Sequence, residues 1–132
     1  MLSITEIRRR FQADRFATET TGAEIVSAQP GEALCRLPLR PEHLNANGTP
    51  MGGAVFTLAD FAFAVAANAF AKRVTVSQNV SITFLSPAKG GTLLAQARCR
   101  KAGRTTCLYE VEVRDEQGTY VAQAMVNGFT VG

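Results

Sequence analysis

Hydrophobic and polar positions change their period as the chain is followed. Over residues 3 to 15, Ile4, Ile7 and Phe11 fall on one helical face, which predicts an amphipathic helix. Ser3 with Glu6 three residues on has the form of a capping box at its start. Arg8, Arg9 and Arg10 fan around that helix and read as a solvated face. The period then drops to two, and strands are predicted over 22–29 and 32–39. In the second, Ala33, Cys35, Leu37 and Leu39 alternate with Leu34 and Arg36. Pro30 and Gly31 mark the turn between them. Residues 54–71 run almost wholly apolar, which predicts a central helix buried on all sides. Four more strands are predicted over 74–85, 91–101, 104–114 and 119–131, with glycine-bearing turns between them. In the strand over 104–114, Cys107, Tyr109, Val111 and Val113 face one way. Thr106, Glu110, Glu112 and Arg114 face the other, so the sheet has one dry and one wet side.

Two strands, a buried helix and four strands make an α+β chain. With 132 residues it holds one core, so a single domain over 1–132 is expected. Residues 1–18 form an N-terminal helix and lead-in, 45–53 a polar loop, and 54–71 the central helix. The dry face of the sheet would wrap the helix. The helix is apolar on more sides than one sheet covers, which predicts at least a symmetric dimer.

Composition excludes several classes. Hydrophobic content of 46% and charged content of 19% are those of an ordinary globular protein. The net charge of +3 is mild and no basic run is interleaved with aromatics, so no nucleic-acid partner is expected. Asp60 and Asn68 interrupt the apolar helix, which is also short for a membrane span. Cys35, Cys99 and Cys107 match no metal-ligand spacing and read as thiols of a reducing compartment. No apolar run follows Met1, so the expectation is a cytoplasmic protein with neither metal nor cofactor.

The candidate chemistry gathers between 43 and 88. Asp60 is a lone carboxylate in an apolar helix, with no cation one turn away, and such a charge is costly unless used. Gly52 and Gly53 open the helix, where backbone N–H groups lack internal partners and the dipole favours negative charge. Glycine lets a ligand approach that backbone closely. An oxyanion site and a carboxylate around one helix suggest acyl transfer to water. Asn45 and Asn47 suit turn chemistry. His43, the only histidine, has no evident acidic partner and reads as structural.

The residues 43–53 (HLNANGTPMGG), Leu58-Ala59-Asp60 and 77–88 (SQNVSITFLSPA) resemble the loop, helix and strand of the PaaI-type hotdog-fold acyl-CoA thioesterases. That resemblance spans roughly residues 20 to 130. It implies a hotdog fold and hydrolysis of an acyl-CoA at a site between subunits of a homodimer or homotetramer. It further implies that the Gly52 N–H receives the thioester oxygen and that Asn45 places the carbonyl. By the same resemblance, Asp60 of the facing subunit would serve as general base or nucleophile, and Ser77 would orient the water. Met51 and Gly53 would border the substrate, and Lys89, Lys101 and Arg104 would meet coenzyme A phosphates. Met51 departs from the family pattern, which has histidine there. Two other readings stand beside hydrolysis: an acyl-thioester-binding protein with little or no catalysis, and an enoyl-thioester hydratase using His43.

Overall fold

Ser3 caps the first helix, α1 (Ile4–Phe11): its hydroxyl accepts from the Glu6 N–H, and the Glu6 carboxylate accepts from the Ser3 N–H. In this computed structural model, which describes residues 1–132, α1 ends at Phe11 rather than near 15. Its apolar stripe is used up there, since the next turn carries Asp14 and Arg15. A π-helical turn (Phe16–Thr21) follows and closes on Gly22, whose φ of 93° is left-handed.

The strands are β1 (Glu24–Gln29), β2 (Glu32–Pro38), β3 (Thr75–Phe84), β4 (Thr92–Ala102), β5 (Thr106–Asp115) and β6 (Tyr120–Thr130). They form one antiparallel sheet in the order β1-β2-β4-β5-β6-β3. Helix α2 (Gly52–Asn68) lies across one face. This is the hotdog arrangement, with the sheet curled around a central helix. The dry face is built from the alternation seen in the sequence: Ala33, Cys35 and Leu37, then Leu93, Ala95 and Ala97, Tyr109, Val111 and Val113, and Ala122, Ala124 and Val126, all buried. The alanines leave room for the larger side chains of α2, among them Leu58, Phe61 and Phe63.

The helix starts two residues earlier than the apolar run suggests, because Gly52 and Gly53 are its first turn. It ends at Asn68, whose side chain turns the chain out. Its amide donates to the Ala64 and Thr75 carbonyls, both at 2.9 Å, and its carbonyl accepts from the Thr75 N–H at 2.8 Å.

One stripe of α2 is not covered by the sheet. Gly53, Phe56, Thr57, Asp60, Ala64 and Ala67 are exposed or half-buried, while Val55, Leu58, Ala59, Ala62 and Val65 are buried. The spacing of three and four puts that stripe on a single face. At the sheet's edge, β3 is exposed along most of its length, with Val76, Phe84 and the following Leu85 open to solvent. No helix in the structure is long and apolar enough to cross a membrane.

Candidate active site

The loop before α2 is shaped by Asn45. Its side-chain oxygen accepts from the Asn47 N–H at 2.9 Å and from the Thr49 N–H and hydroxyl, both at 3.2 Å. That oxygen is therefore committed to the loop. The amide nitrogen donates to no atom of the chain and stays available to an acceptor from outside. Asn47 serves the turn.

Gly52 and Gly53 donate their N–H groups to nothing within the chain, while Ala54 and Val55 both donate to the Met51 carbonyl. Met51 is the residue before the helix. It contributes no side-chain cap, and its side chain is exposed. Asn45 and Gly52 line one cavity of about 300 Å³ together with Pro50, Val55, Phe84 and Val121. A Cβ at Gly52 would meet the tip of the Phe84 ring at 3.0 Å, whereas one at Gly53 would meet nothing within 4 Å. Glycine at 52 is thus set by the close approach of Phe84, and glycine at 53 keeps the helix start bare.

Asp60 lies eight residues further along α2, a rise of about 12 Å. It lines two other cavities. One, of about 370 Å³, is bounded by Arg10, Asp14, Asn68, Thr75 and Ser77. The other, of about 490 Å³, is bounded by Asp14, Phe16, Ala17, Phe56, Phe61 and Ala64. No lysine or arginine pairs with Asp60. Arg10 donates to the Asn68 carbonyl and Arg15 pairs with Glu19. Burial pushes the Asp60 carboxyl above the usual aspartate range; the facing Ser77 hydroxyl pulls it part of the way back, and the Asp14 carboxylate raises it again. Ser77 reaches this position beside a β-bulge in β3, between Ser77 and Asn79, which re-aims the strand.

The cationic candidates fall at opposite ends of the sheet. Lys89 stands before β4, in a loop held by Asp115, whose carboxylate accepts from the Lys89 and Gly90 N–H groups at 2.8 and 2.9 Å. Lys101 and Arg104 stand at the far end of β4 and in its hairpin, about 33 Å away along the strand. A single chain does not bring Lys89 and Arg104 to one phosphate group. Arg73 lies against that hairpin, donating to the Arg104 carbonyl at 3.5 Å.

His43 is buried and both its ring nitrogens are engaged by backbone. The Arg40 N–H donates to Nδ1 at 3.0 Å, so the proton is assigned to Nε2, which donates to the Thr21 carbonyl at 2.6 Å. It ties the segment leading into the 45–53 loop to the π-helical turn and lines none of the cavities around Asp60. Asp14 and Phe16 are among the site-lining residues that the sequence patterns did not single out. They are more than forty positions from Asp60 in the chain, and no local motif connects them.

The comparisons with known proteins agree with this architecture. The profile of the thioesterase superfamily matches residues 47–122. The acyl-coenzyme A thioesterase PaaI of Escherichia coli K12 is 35% identical over 102 residues, 76% of this chain and 72% of the relative. The solved structure of the E. coli PaaI protein from the phenylacetic acid degradation operon superposes with a TM-score of 0.85 at 28% identity, over 98% of this chain and 97% of that one. A Streptococcus mutans UA159 protein solved with bound acetyl-CoA superposes with a TM-score of 0.78 at 31% identity, over 83% of this chain and 89% of that one. The chain belongs to the thioesterase superfamily, as a PaaI-type thioester hydrolase with the hotdog fold.

Proposed function

We propose that the protein hydrolyses an acyl-CoA to the free acid and coenzyme A, at a site shared by two copies of the chain. The observation that carries this reading is Asp60: a half-buried carboxylate with no cationic partner, on the uncovered stripe of α2, open to two cavities. Its raised pKa makes it a better proton acceptor than an ordinary aspartate.

The thioester oxygen rests on the Gly52 N–H, with the Asn45 amide nitrogen beside it. Asp60 of the facing copy takes a proton from water as the water oxygen bonds to the carbonyl carbon, and Ser77 aligns that water. Negative charge gathers on the oxygen against the helix N-terminus. The C–S bond then breaks and the sulfur leaves with the proton that Asp60 held. If Asp60 attacks the carbon itself, the C–S bond breaks, coenzyme A leaves as its thiolate and a mixed anhydride forms; water then opens the anhydride, giving the free acid and restoring the Asp60 carboxylate, and the proton released balances the thiolate.

Pairing of two copies is supported by β3 and α2 together. A ten-residue edge strand offers unpaired backbone groups, and the helix beside it keeps an uncovered apolar stripe. Within one chain Gly52 and Asp60 open into different cavities, so the site is completed only by a second chain. A pair also offers cations from two chains to one ligand: Lys89 and, in the other subunit, Lys101, Arg104 and Arg73.

A panel of acyl-CoAs with detection of free thiol tests the reading, run on the wild-type protein and on Asp60→Asn. Thiol release by the wild type that falls by about a hundredfold or more in Asp60→Asn is expected. Binding of acyl-CoA without thiol release, unchanged by the substitution, would instead make the protein an acyl-thioester binder.

A further inference from the structure

The cavity that holds Gly52 and Asn45 has one wall made of consecutive residues, Leu85 to Ala88, in the loop between β3 and β4. That loop is gripped at both ends. At the front, the Leu85 and Ser86 N–H groups donate to the Val121 carbonyl at 2.8 and 3.4 Å. In the middle, Pro87 has no N–H to donate. At the back stands Asp115, a residue only 2% exposed. Its two carboxylate oxygens have separate partners. Oδ1 accepts from the Gln117 and Thr119 N–H groups at 3.0 and 2.9 Å and shapes its own hairpin. Oδ2 accepts from the Lys89 and Gly90 N–H groups at 2.8 and 2.9 Å, and so holds a loop 25 and 26 residues back along the chain. Glu116 continues the grip: its carboxylate accepts from the Gly91 and Thr92 N–H groups at 2.9 and 3.2 Å. The first atoms that a Cβ at Gly90 would meet belong to that same carboxylate, so the Glu116 grip needs glycine there.

Resting on the hydrolase reading above, we propose that Asp115 is a positioning residue for the coenzyme A portion of the substrate: its Oδ2 fixes the wall of the Gly52 cavity and, with it, the exposed Lys89 that meets a phosphate. A lysine ammonium rides on a flexible four-carbon stem, and ordering that stem offsets what the charge contact contributes. A backbone tied at Lys89 and Gly90 leaves only the side chain to order. The direction of the effect separates this role from plain charge. Asp115 is negative, and through space a negative group weakens phosphate binding. Removing its charge would tighten coenzyme A if charge alone counted, whereas loss of the grip loosens it. Asp115→Asn cannot serve both sets of partners. It has one carbonyl oxygen, and its NH2 is set against two N–H donors whichever way the amide is turned.

The test is kcat/KM on an acyl-CoA and on the same acyl group carried by pantetheine, the thiol arm of coenzyme A without its phosphates. The proteins are wild type, Lys89→Ala, Asp115→Asn, the double variant and Gly90→Ala. The readout is the ratio of the two kcat/KM values, because loss of folded protein lowers both alike and does not move it. Lys89→Ala should lower the ratio about fivefold, the worth of one exposed charge contact. Asp115→Asn should lower it by a similar factor, and the double variant by no more than either single one. Gly90→Ala displaces the Glu116 carboxylate and leaves Asp115 in place, so it should lower the ratio by less. It carries the test alone if Asp115→Asn does not fold, and an unmoved ratio then overturns the proposal. So does an unmoved ratio in Lys89→Ala, an equal loss on both substrates in Asp115→Asn, or a ratio that rises in that variant. With thiol still released by the wild type, those results leave the hydrolase reading intact. A wild type that releases no thiol from either substrate sinks that reading and the role of Asp115 with it.

Discussion

The Asp60 carboxylate and the Gly52 N–H are carried by one rigid helix and open into separate cavities. No side-chain motion closes a gap of about 12 Å along a helix axis. On the proposed mechanism, the groups for proton transfer and for oxyanion stabilisation would therefore have to come from two chains. Turnover is expected to depend on association. Charged substitution on the open edge strand, Val76→Asp with Ser81→Lys, should yield monomers by sedimentation, and those monomers should lack thioesterase activity. Fully active monomers would refute the shared site.

The acid limb of the pH–rate profile should follow Asp60. Burial raises its pKa, Ser77 lowers it and Asp14 raises it. Asp14→Asn should move the limb of kcat/KM to lower pH, and Ser77→Ala should move it higher while also slowing turnover. Arg10 and Arg15 also face these cavities, but each is engaged elsewhere. A limb that ignores both substitutions would mean that some other group titrates.

Phe84 sets what position 52 tolerates. Gly52→Ala puts a methyl 3.0 Å from the ring, in the cavity that Asn45 lines. One oxyanion donor is worth about a hundredfold or more, so a displaced Gly52 amide should lower kcat by a comparable factor. Phe84→Leu should recover part of the loss when combined with Gly52→Ala, a coupling visible in a double-mutant cycle. Gly53→Ala has open space and should leave the fold unchanged, with any loss appearing in KM. Equal behaviour of the two alanine variants would contradict this placement.

His43 joins the loop to the π-helical turn and does not face the reacting groups. His43→Ala should cost about 1–3 kcal/mol in urea unfolding, from the lost buried hydrogen bonds. Its effect on kcat should be small beside that of Asp60→Asn. The reverse order of effects would favour enoyl hydration.

Acid stability should depend on Asp115. Burial alone would raise its pKa, but N–H groups of Gly90, Lys89, Thr119 and Gln117 outweigh burial and hold it well below the usual aspartate range. A depressed folded-state pKa adds stability above the unfolded value, and that stability is lost as the pH falls through the folded value. Asp115→Asn should therefore be less stable at pH 7, with the difference shrinking below about pH 4 in chemical denaturation.

Much of this architecture was written in local pattern. The alternation through Ala33, Cys35 and Leu37, and through Tyr109, Val111 and Val113, gave the dry face, because a strand's side chains follow a period of two whatever lies opposite. The surplus of apolar positions on α2 anticipated the stripe that the sheet leaves open. The loop and Asp60 were legible because they are close in sequence around one helix. Strand order was not, since nothing in β3 says that it pairs with β6 and lies beyond it at the edge. Asp14 and Phe16 were not legible either. The apolar face of α1 predicted a helix to residue 15, and only the folded chain turns that segment back over Asp60. The separation of Lys89 from Lys101 and Arg104 likewise appears only once β4 has a length.

A complementation assay addresses the shared site most directly. Asp60→Asn and Gly52→Val each leave every site of their own homodimer damaged. Unfolded together and refolded as a mixture, they form hybrids in which one site pairs an intact Asp60 with an intact Gly52. Hybrids should restore about a quarter of wild-type turnover in an equal mixture, from two parents that are each nearly inactive. A mixture no more active than its parents, with hybrid dimers verified by mass spectrometry, contradicts a site built from two chains.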